Sequence, residues 1–333
     1  MRTCYLHLGM PKTGSTSIQD CFFNFENDTM IYAKAKWSNH AIFVTAPFRK
    51  EPRKLKFLRG RSVPVSDEFV KRHVSEMRKT LKNSISGNKD VILSGEAIVD
   101  ELFDEEIGDL IAYLKTNFDR IQVIAYIRPL ASLAPSQLQQ RIKSGPMKFR
   151  LPDPDYRKRF EAVLKYAGAA NITFIRFDRK DLIGGDVVFD FASRVGLQAP
   201  PTQIEPSNES FSAEIIATLY KSNRMLAKTM SQKEILKLNR KFLRTFPDAG
   251  NIKFGLSETI MSNHLKTHAQ DVLWMENACG FDVKGSIKTV ERPIESEKDL
   301  LSLALPLNIK NYGGTKRASF IMRVLSKVKD KVW

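Results

Sequence analysis

Short, almost wholly apolar runs alternate along the chain with longer segments in which apolar residues recur every three or four positions. Runs such as 5–8, 90–94 and 121–127 have the length of buried β-strands. Segments such as 66–85 and 101–118 have the spacing of amphipathic helices. Continuous apolar strands that alternate with helices are typical of a parallel sheet covered on both faces. The pattern therefore predicts an α/β fold.

The pattern changes after a cluster of three prolines near residue 200. Beyond it the apolar spacing is largely helical, and it predicts helices at about 212–229, 232–244 and 257–278. We therefore expect an α/β core over 1–199 and a mainly helical part over 200–333. The alternative is that the later helices cap the same core, in which case the two parts form one domain.

The turn after the first strand combines glycines, a lysine and a helix start. Gly9, Gly14 and Thr16 keep the spacing of the G-x-x-x-x-G-K-[ST] loop of nucleotide triphosphatases. Ser15 stands where that loop has its lysine, and Lys12 lies inside the turn instead. The first N–H groups of a helix have no intrahelical partner, and the helix dipole adds positive potential there. The sequence therefore predicts a phosphate-binding turn and a P-loop-type parallel sheet flanked by helices.

This turn resembles the 5′-phosphosulfate loop of sulfotransferases that use 3′-phosphoadenosine 5′-phosphosulfate (PAPS). The residues that carry the resemblance are Pro11, Lys12, Thr13, Gly14, Ser15, Thr16 and Ser17. It implies that these residues bind the 5′ end of PAPS and that Lys12 stabilises the leaving phosphate oxygen. It also implies that no metal is required, since Lys12 and the helix N-terminus neutralise the charge.

A second element resembles the part of these enzymes that binds the 3′-phosphate, which ATP lacks. Arg128 follows the predicted strand 121–127, and Ser136 lies eight residues further on. Arginine offers a planar fork for phosphate oxygens, and serine offers a hydroxyl from the following helix. The resemblance implies that Arg128 and Ser136 bind the 3′-phosphate, and Ser132, one helical turn earlier, could share the role.

Two residues are candidates for the base that accepts the proton of the acceptor hydroxyl. Glu96 follows the predicted strand 90–94, at the sheet edge where parallel strands place ligand sites. His40 is the other candidate, because carbohydrate sulfotransferases are known to use either a glutamate or a histidine. The alternative for Glu96 is a structural ion pair, and the alternative for His40 is a helix cap or a packed core histidine. The sequence leaves this choice open.

The charge of the chain favours anionic partners without choosing among them. It has 53 lysines and arginines against 37 aspartates and glutamates, which gives a formal net charge of +16. The basic segment 49–61 is either a solvated loop or a cationic rim for an acidic acceptor. The tail 316–333 is a basic amphipathic pattern that either rests on an anionic membrane or docks as a helix on its own domain.

Cysteine usage and the N-terminus indicate the compartment. Cys4, Cys21 and Cys279 are scattered and odd in number, so they form neither a disulfide framework nor a metal-ligand spacing. A strand begins almost at the first residue, which leaves no room for a signal peptide, and no apolar run is long enough to span a bilayer. We therefore expect a cytoplasmic protein, with any contact at the inner membrane face being peripheral.

The resemblance implies an enzyme that moves the sulfuryl group of PAPS to a hydroxyl or amine of a carbohydrate, such as a polysaccharide or glycolipid. The first alternative is a P-loop kinase or NTPase, which would need a lysine where Ser15 stands. The second is a non-enzymatic protein that binds polyanions or a membrane surface through its basic charge. Nucleic acid is not an expected partner.

Overall fold

The computed structural model describes residues 1–55, 58, 65–202 and 211–305. The strands are β1 (Thr3–Gly9), β2 (Met30–Tyr32), β3 (Asp90–Ser94), β4 (Arg120–Ile127) and β5 (Ile172–Arg176). Among the described residues, the α-helices of the first half of the chain are α1 (Ser15–Phe22), α2 (Ala41–Thr45), α3 (Asp67–Ser84), α4 (Ile98–Glu101), α5 (Glu105–Lys115), α6 (Leu130–Ser144) and α7 (Tyr156–Ala167). They are followed by α8 (Val187–Arg194), α9 (Ala213–Leu226), α10 (Gln232–Thr245), α11 (Glu258–Thr267), α12 (Ala269–Cys279) and α13 (Glu297–Ser302).

All five strands belong to one parallel sheet, in the order β2-β3-β1-β4-β5. The central strand β1 pairs with β3, where His7 lies opposite Ser94, and with β4, where Gly9 lies opposite Tyr126. Because the strands are parallel, the residues that follow β1, β3 and β4 emerge at the same edge of the sheet. The predicted fold class is confirmed: a P-loop-type parallel sheet flanked by helices, with a mainly helical C-terminal part.

The chain forms two compact units and passes between them several times. Of the described residues, those within Met1–Pro129, Asp155–Pro206 and Gln270–Val283 belong to the first unit, which contains the whole sheet. Those within Leu130–Pro154, Ser207–Ala269 and Lys284–Trp333 belong to the second unit, whose regular elements are helices. The division at 199/200 remains a prediction.

One face of the sheet is buried by α1 and α8. Phe22 of α1 and Phe191 of α8 are completely buried, and their rings make an edge contact with centroids 5.2 Å apart. The same core contains Ile124 and Tyr126 of β4. Truncating a fully buried phenylalanine typically lowers the free energy of unfolding by about 3–5 kcal/mol. Phe22→Ala would therefore strongly weaken the packing of α1 on the sheet.

A buried amide pair holds the helices of the second unit together. The side-chain amide of Asn223 on α9 donates to the carbonyl oxygens of Ile142 (2.7 Å) and Gly145 (3.1 Å) at the end of α6. Its own amide oxygen accepts from Asn239 of α10 at 2.9 Å. The Asn223 amide thus has a partner for its nitrogen and for its oxygen, which is the condition under which a buried polar group stabilises a core.

Two helices predicted as continuous are each split in the structure. The segment 101–118 contains α5 and only the last residue of α4, because Asp104, with φ 33° and ψ −102°, has a non-helical backbone between them. Lys165 and Tyr166 donate to the Asp104 carboxylate at 2.9 and 3.1 Å, and these contacts fix the break. The segment 257–278 splits into α11 and α12 at His268, whose ring is 3.3 Å from the Asp153 carboxylate.

Ser66 caps α3, because its hydroxyl accepts a hydrogen bond from the N–H of Phe69 at 3.2 Å. The helix predicted over 66–85 is confirmed within one residue at each end. Cys4, Cys21 and Cys279 are free, as expected. Within the described part of the chain, no helix has the length and apolar character needed to cross a bilayer. The tail 316–333 and most of 56–64 lie outside the described residues.

Candidate functional site

The turn between β1 and α1 contains two residues with left-handed backbone. Gly14, just before α1, has φ 76°, and Lys12 has φ 66°. Glycine adopts this conformation freely, but for a lysine it costs on the order of 1 kcal/mol. Strained residues of this kind cluster at functional sites, where a side chain is kept for its chemistry. The strained backbone at Lys12 is therefore what a residue kept for its side-chain chemistry would show.

Contacts within the protein hold this turn in place. The hydroxyl of Thr13 donates to the carbonyl oxygen of Met10 at 2.7 Å, and Arg128 donates from its Nη1 to the carbonyl oxygen of Lys12. The N–H of Met10 donates to the carbonyl oxygen of Tyr126 at 3.4 Å. The turn is therefore shaped by its own side chains and by β4 before any ligand arrives, which is the preorganisation that an anion site needs.

Polar groups at the start of α1 are left without partners. The N–H of Ile18 is the first to bond back into the turn, to the carbonyl oxygen of Gly14 at 3.1 Å. Within the described residues, the backbone N–H groups of Ser15, Thr16 and Ser17 have no hydrogen-bond acceptor, and Gly14 provides no side-chain cap. Unmatched N–H groups at a helix N-terminus favour a bound anion.

The side chain of Ser15 supports the same conclusion. It is 3% exposed, and its hydroxyl has no partner among the described residues. It packs where Gly9 lacks a side chain, since a Cβ on Gly9 would lie 2.1 Å from the Ser15 Oγ. A buried hydroxyl without a hydrogen-bond partner costs about 1–3 kcal/mol of folding stability, so it is rarely kept without a reason. A phosphate oxygen bound at the adjacent N–H groups would provide one.

Arg128 lies at the end of β4, in contact with the turn. Besides its bond to Lys12, its guanidinium carbon is 5.7 Å from the ring centroid of Phe177. The hydroxyl of Tyr156 donates to the Arg128 carbonyl oxygen at 2.7 Å and fixes its backbone. Burial lowers the Arg128 pKa to about 10, so the group remains charged at neutral pH. The structure thus places two predicted site residues, Lys12 and Arg128, side by side.

The serines predicted to accompany Arg128 lie on α6. Ser132 and Ser136 are both half-buried there, and α6 continues through Pro135 without a break. They belong to the second compact unit. Their part in binding a 3′-phosphate remains a prediction.

Glu96 follows β3 on a closely packed backbone. It is half-buried, and the N–H of the preceding Gly95 donates to the carbonyl oxygen of His7 at 3.1 Å. A Cβ on Gly95 would lie 2.9 Å from the backbone nitrogen of Ala41, so only glycine fits between β3 and α2. The strand end that carries Glu96 is therefore fixed from two sides.

His40 is completely buried beside the same strand end. Its Nδ1 accepts from the N–H of Ser94 at 3.1 Å, and its own N–H donates to the Ser94 carbonyl oxygen at 2.8 Å. Burial lowers the His40 pKa to about 3, so the ring is neutral at pH 7. Because Nδ1 is an acceptor, the neutral ring carries its proton on Nε2. This geometry favours the packed-histidine alternative, since the ring has no accessible lone pair for a substrate proton.

A buried polar cluster beneath the turn has no counterpart among the predicted site residues. The Ser94 hydroxyl lies 2.8 Å from Nδ1 of His7 and accepts from Nε2 of Gln19 at 3.3 Å. Burial also lowers the pKa of His7 to about 3. These contacts join β1, β3 and α1 behind the turn. They link positions 75 and 87 residues apart, so no local sequence signal could have indicated them.

The described part of the basic segment is paired with carboxylates. Arg49, whose side chain is 9% exposed, contacts Glu106 at 2.7 Å, and Lys50 contacts Glu105. Two exposed pairs follow: Arg53 contacts Asp67, and Lys54 contacts Glu51 at 2.7 Å. These partners favour an ion-paired loop over a free cationic rim. Among the described residues, no three His, Cys, Asp or Glu side chains are arranged to bind a metal ion.

Comparison with known proteins finds a similarity of structure and none of sequence. No protein-family model matches the chain, and no curated protein sequence matches it. A similar solved structure is the crystal structure of a sulfotransferase from Alicyclobacillus acidocaldarius, with 14% sequence identity and a TM-score of 0.38. The similarity covers 71% of this chain and 95% of that one.

Proposed function

We propose that this chain is a PAPS-dependent sulfotransferase that transfers the sulfuryl group to a hydroxyl or amine of a carbohydrate acceptor. One observation supports this most strongly. The left-handed Lys12 lies in the same turn as the unmatched N–H groups that begin α1, and Arg128 is bonded to that turn. A lysine, an arginine and a helix N-terminus at one turn support the binding of a doubly phosphorylated nucleotide.

The placement of the lysine separates this proposal from the NTPase alternative. In an NTPase loop the lysine follows the second glycine, and the next Ser or Thr binds magnesium. Here the residue after Gly14 is the buried Ser15, and the ammonium group belongs to Lys12 inside the turn. A cation in that place neutralises a leaving phosphate oxygen without a β,γ-phosphate and magnesium geometry.

The reaction asks for little covalent chemistry from the protein. An acceptor oxygen forms a bond to sulfur while the bond from sulfur to the 5′-phosphate oxygen breaks, in line and through a loose transition state, as in phosphoryl transfer. The Lys12 ammonium and the first N–H groups of α1 stabilise the charge that develops on the leaving oxygen. The acceptor proton passes to a base, for which we propose the carboxylate of Glu96.

In this proposal His40 positions the base instead of acting as one. Its two hydrogen bonds to Ser94 fix the strand end two residues before Glu96. Arg128 has two roles: it holds the carbonyl oxygen of Lys12, and it presents a planar cation to the 3′-phosphate. Ser136 is a further candidate for that phosphate.

The test is transfer of radiolabelled sulfate from PAPS to a panel of polysaccharides and glycolipids, with EDTA present. We expect a labelled acceptor, and we expect adenosine 3′,5′-bisphosphate to inhibit its formation. The same protein is titrated calorimetrically with ATP, with and without magnesium. Magnesium-dependent ATP binding with no transfer would favour a kinase or NTPase. Salt-sensitive binding to any polyanion, with neither nucleotide bound, would favour the non-enzymatic alternative.

A further inference from the structure

The segment 33–40, between β2 and α2, displays a tryptophan at the edge of the sheet where the strands end. Trp37 has 42% of its surface exposed, and the Lys36 Nζ lies 5.8 Å from the centroid of its ring. Within the described residues, Lys36 forms no ion pair, whereas the neighbouring Lys34 contacts Glu26 at 2.7 Å. At residues 36 and 37, an exposed indole thus lies beside an ammonium that has no carboxylate partner in the described part of the chain.

The backbone that carries this pair is fixed. The N–H of Ala33 donates to the Ile92 carbonyl oxygen at 3.0 Å, and the N–H of His40 donates to that of Ser94 at 2.8 Å, so both ends are bonded to β3. Ser38, next to the tryptophan, accepts at its carbonyl oxygen from the Tyr32 hydroxyl at 2.6 Å. Its own hydroxyl donates to Asp20 of α1 at 3.1 Å. Because this backbone is already ordered, little further backbone entropy is lost when a ligand binds to its side chains.

The tryptophan lies close in the chain to a residue that is bonded to β3, the strand that precedes the proposed base. Trp37 lies three positions before His40, which is bonded to Ser94, two residues before Glu96. Three residues of chain span at most about 11 Å, so the Trp37 Cα lies within that distance of the His40 Cα. An oligosaccharide could place one sugar against the indole and a second at Glu96.

We propose that Trp37 and Lys36 form an acceptor subsite for a sugar ring that carries a carboxylate or sulfate group. The indole offers a rigid apolar surface to the C–H face of the ring, and the ammonium pairs with the anionic substituent. This inference rests on the proposed function and names its substrate class: an acidic glycan instead of a neutral sugar or a protein.

The test is calorimetric titration with three probes: a hexasaccharide of alternating glucuronic acid and N-acetylglucosamine, a neutral N-acetylglucosamine hexamer, and inorganic polyphosphate. We expect the acidic hexasaccharide to bind more tightly than the neutral one. Trp37→Ala should weaken that binding at least about tenfold, while Trp37→Phe, which keeps an aromatic surface, should stay within about threefold. Lys36→Gln should weaken acidic but not neutral binding, and the control Lys34→Gln should change neither.

Three results would overturn the subsite. One is Trp37→Ala binding the acidic hexasaccharide as tightly as wild type. Another is wild type binding adenosine 3′,5′-bisphosphate but neither sugar, which leaves the proposed function standing. The third is polyphosphate competing fully with the sugar in wild type and in Trp37→Ala alike, which indicates charge alone. Sugar binding that depends on Trp37 without any nucleotide binding would instead refute the proposed function and keep the subsite.

Discussion

Arg128 donates a hydrogen bond from its guanidinium to the carbonyl oxygen of Lys12, 116 residues earlier in the chain. The sequence suggested these two residues as parts of two separate anion sites, one at each end of a nucleotide. In the structure Arg128 also holds the turn that carries Lys12. Loss of Arg128 is therefore expected to affect both ends of a bound nucleotide.

Arg128→Lys tests this double role. A lysine keeps the positive charge but lacks the planar fork that can hold a carbonyl oxygen and a phosphate together. We expect affinity for adenosine 3′,5′-bisphosphate to fall by about tenfold or more, and amide hydrogen exchange in residues 10–14 to accelerate. Calorimetry and exchange measured by mass spectrometry check the two effects. Unchanged exchange in the turn would show that the Lys12 bond does not stabilise it.

Lys12→Gly separates the charge of this residue from its backbone. Glycine adopts a φ of 66° without strain, so the variant removes the ammonium group while it relaxes the turn. We expect transfer to fall by about 100- to 1000-fold, with a thermal midpoint at or above that of wild type. Lys12→Arg keeps a cation and should retain more activity. The matched control is Lys71→Ala, an exposed lysine on α3, and equal losses in both variants would contradict the assignment.

Gly9 and Ser15 should be energetically coupled. A Cβ on Gly9 would lie 2.1 Å from the Ser15 hydroxyl but 3.4 Å from its Cβ, so Gly9→Ala should destabilise wild type by about 1–3 kcal/mol and the Ser15→Ala background by less. Ser15→Ala alone should be neutral or stabilising, because it removes a buried hydroxyl without a partner, yet it should weaken nucleotide binding. Urea unfolding of the four proteins measures the coupling, and strict additivity would disprove it.

Substitutions of Glu96 and of His40 should affect activity and stability in different ways. Glu96→Gln removes the proposed base, and we expect kcat to fall by about 100-fold or more with little change in KM. His40→Gln offers an amide oxygen to the N–H of Ser94 and should retain most activity, whereas His40→Ala should lose activity and stability together. The pH dependence of kcat should be the same in wild type and His40→Gln. An acid limb that disappears in His40→Gln would make His40 the base.

Two completely buried histidines, His7 and His40, should make the fold sensitive to acid. Burial lowers the pKa of His7 and of His40 to about 3, from an ordinary value near 6.5. Between these values the unfolded chain binds protons that the native state does not, so the free energy of unfolding falls as pH falls from about 6.5. Each histidine contributes about 1.4 kcal/mol per pH unit in this range. Urea unfolding between pH 7 and 5 should therefore show a shallower loss for His40→Gln than for wild type, and equal slopes would contradict this.

The strand pattern was readable from the sequence because the sheet is parallel and buried on both faces. The run at Asp90–Ser94 is apolar, short and bounded by turn residues, and it is β3 in the structure. The helix cap at Ser66 was readable for a similar reason, since its signal lies within four residues. Where local chemistry decides the structure, the pattern was sufficient.

Features set by distant contacts were not readable. The apolar spacing continues through Asp104 and His268, yet both helices break there because partners elsewhere in the chain hold these two residues. His40 is a further case: its neighbours in sequence cannot reveal that its ring is enclosed and bonded to Ser94. The sequence indicated the residues of the turn, but the contact between Lys12 and Arg128 required the fold.

The most direct test of the proposed function is a crystal structure of the protein with adenosine 3′,5′-bisphosphate, grown without magnesium. We expect the 5′-phosphate within hydrogen-bonding distance of the N–H groups of Ser15 and Thr16 and of the Lys12 ammonium, and the 3′-phosphate against the guanidinium of Arg128. A nucleotide bound away from both residues, or no bound nucleotide at concentrations that saturate the calorimetric titration, would contradict the assignment.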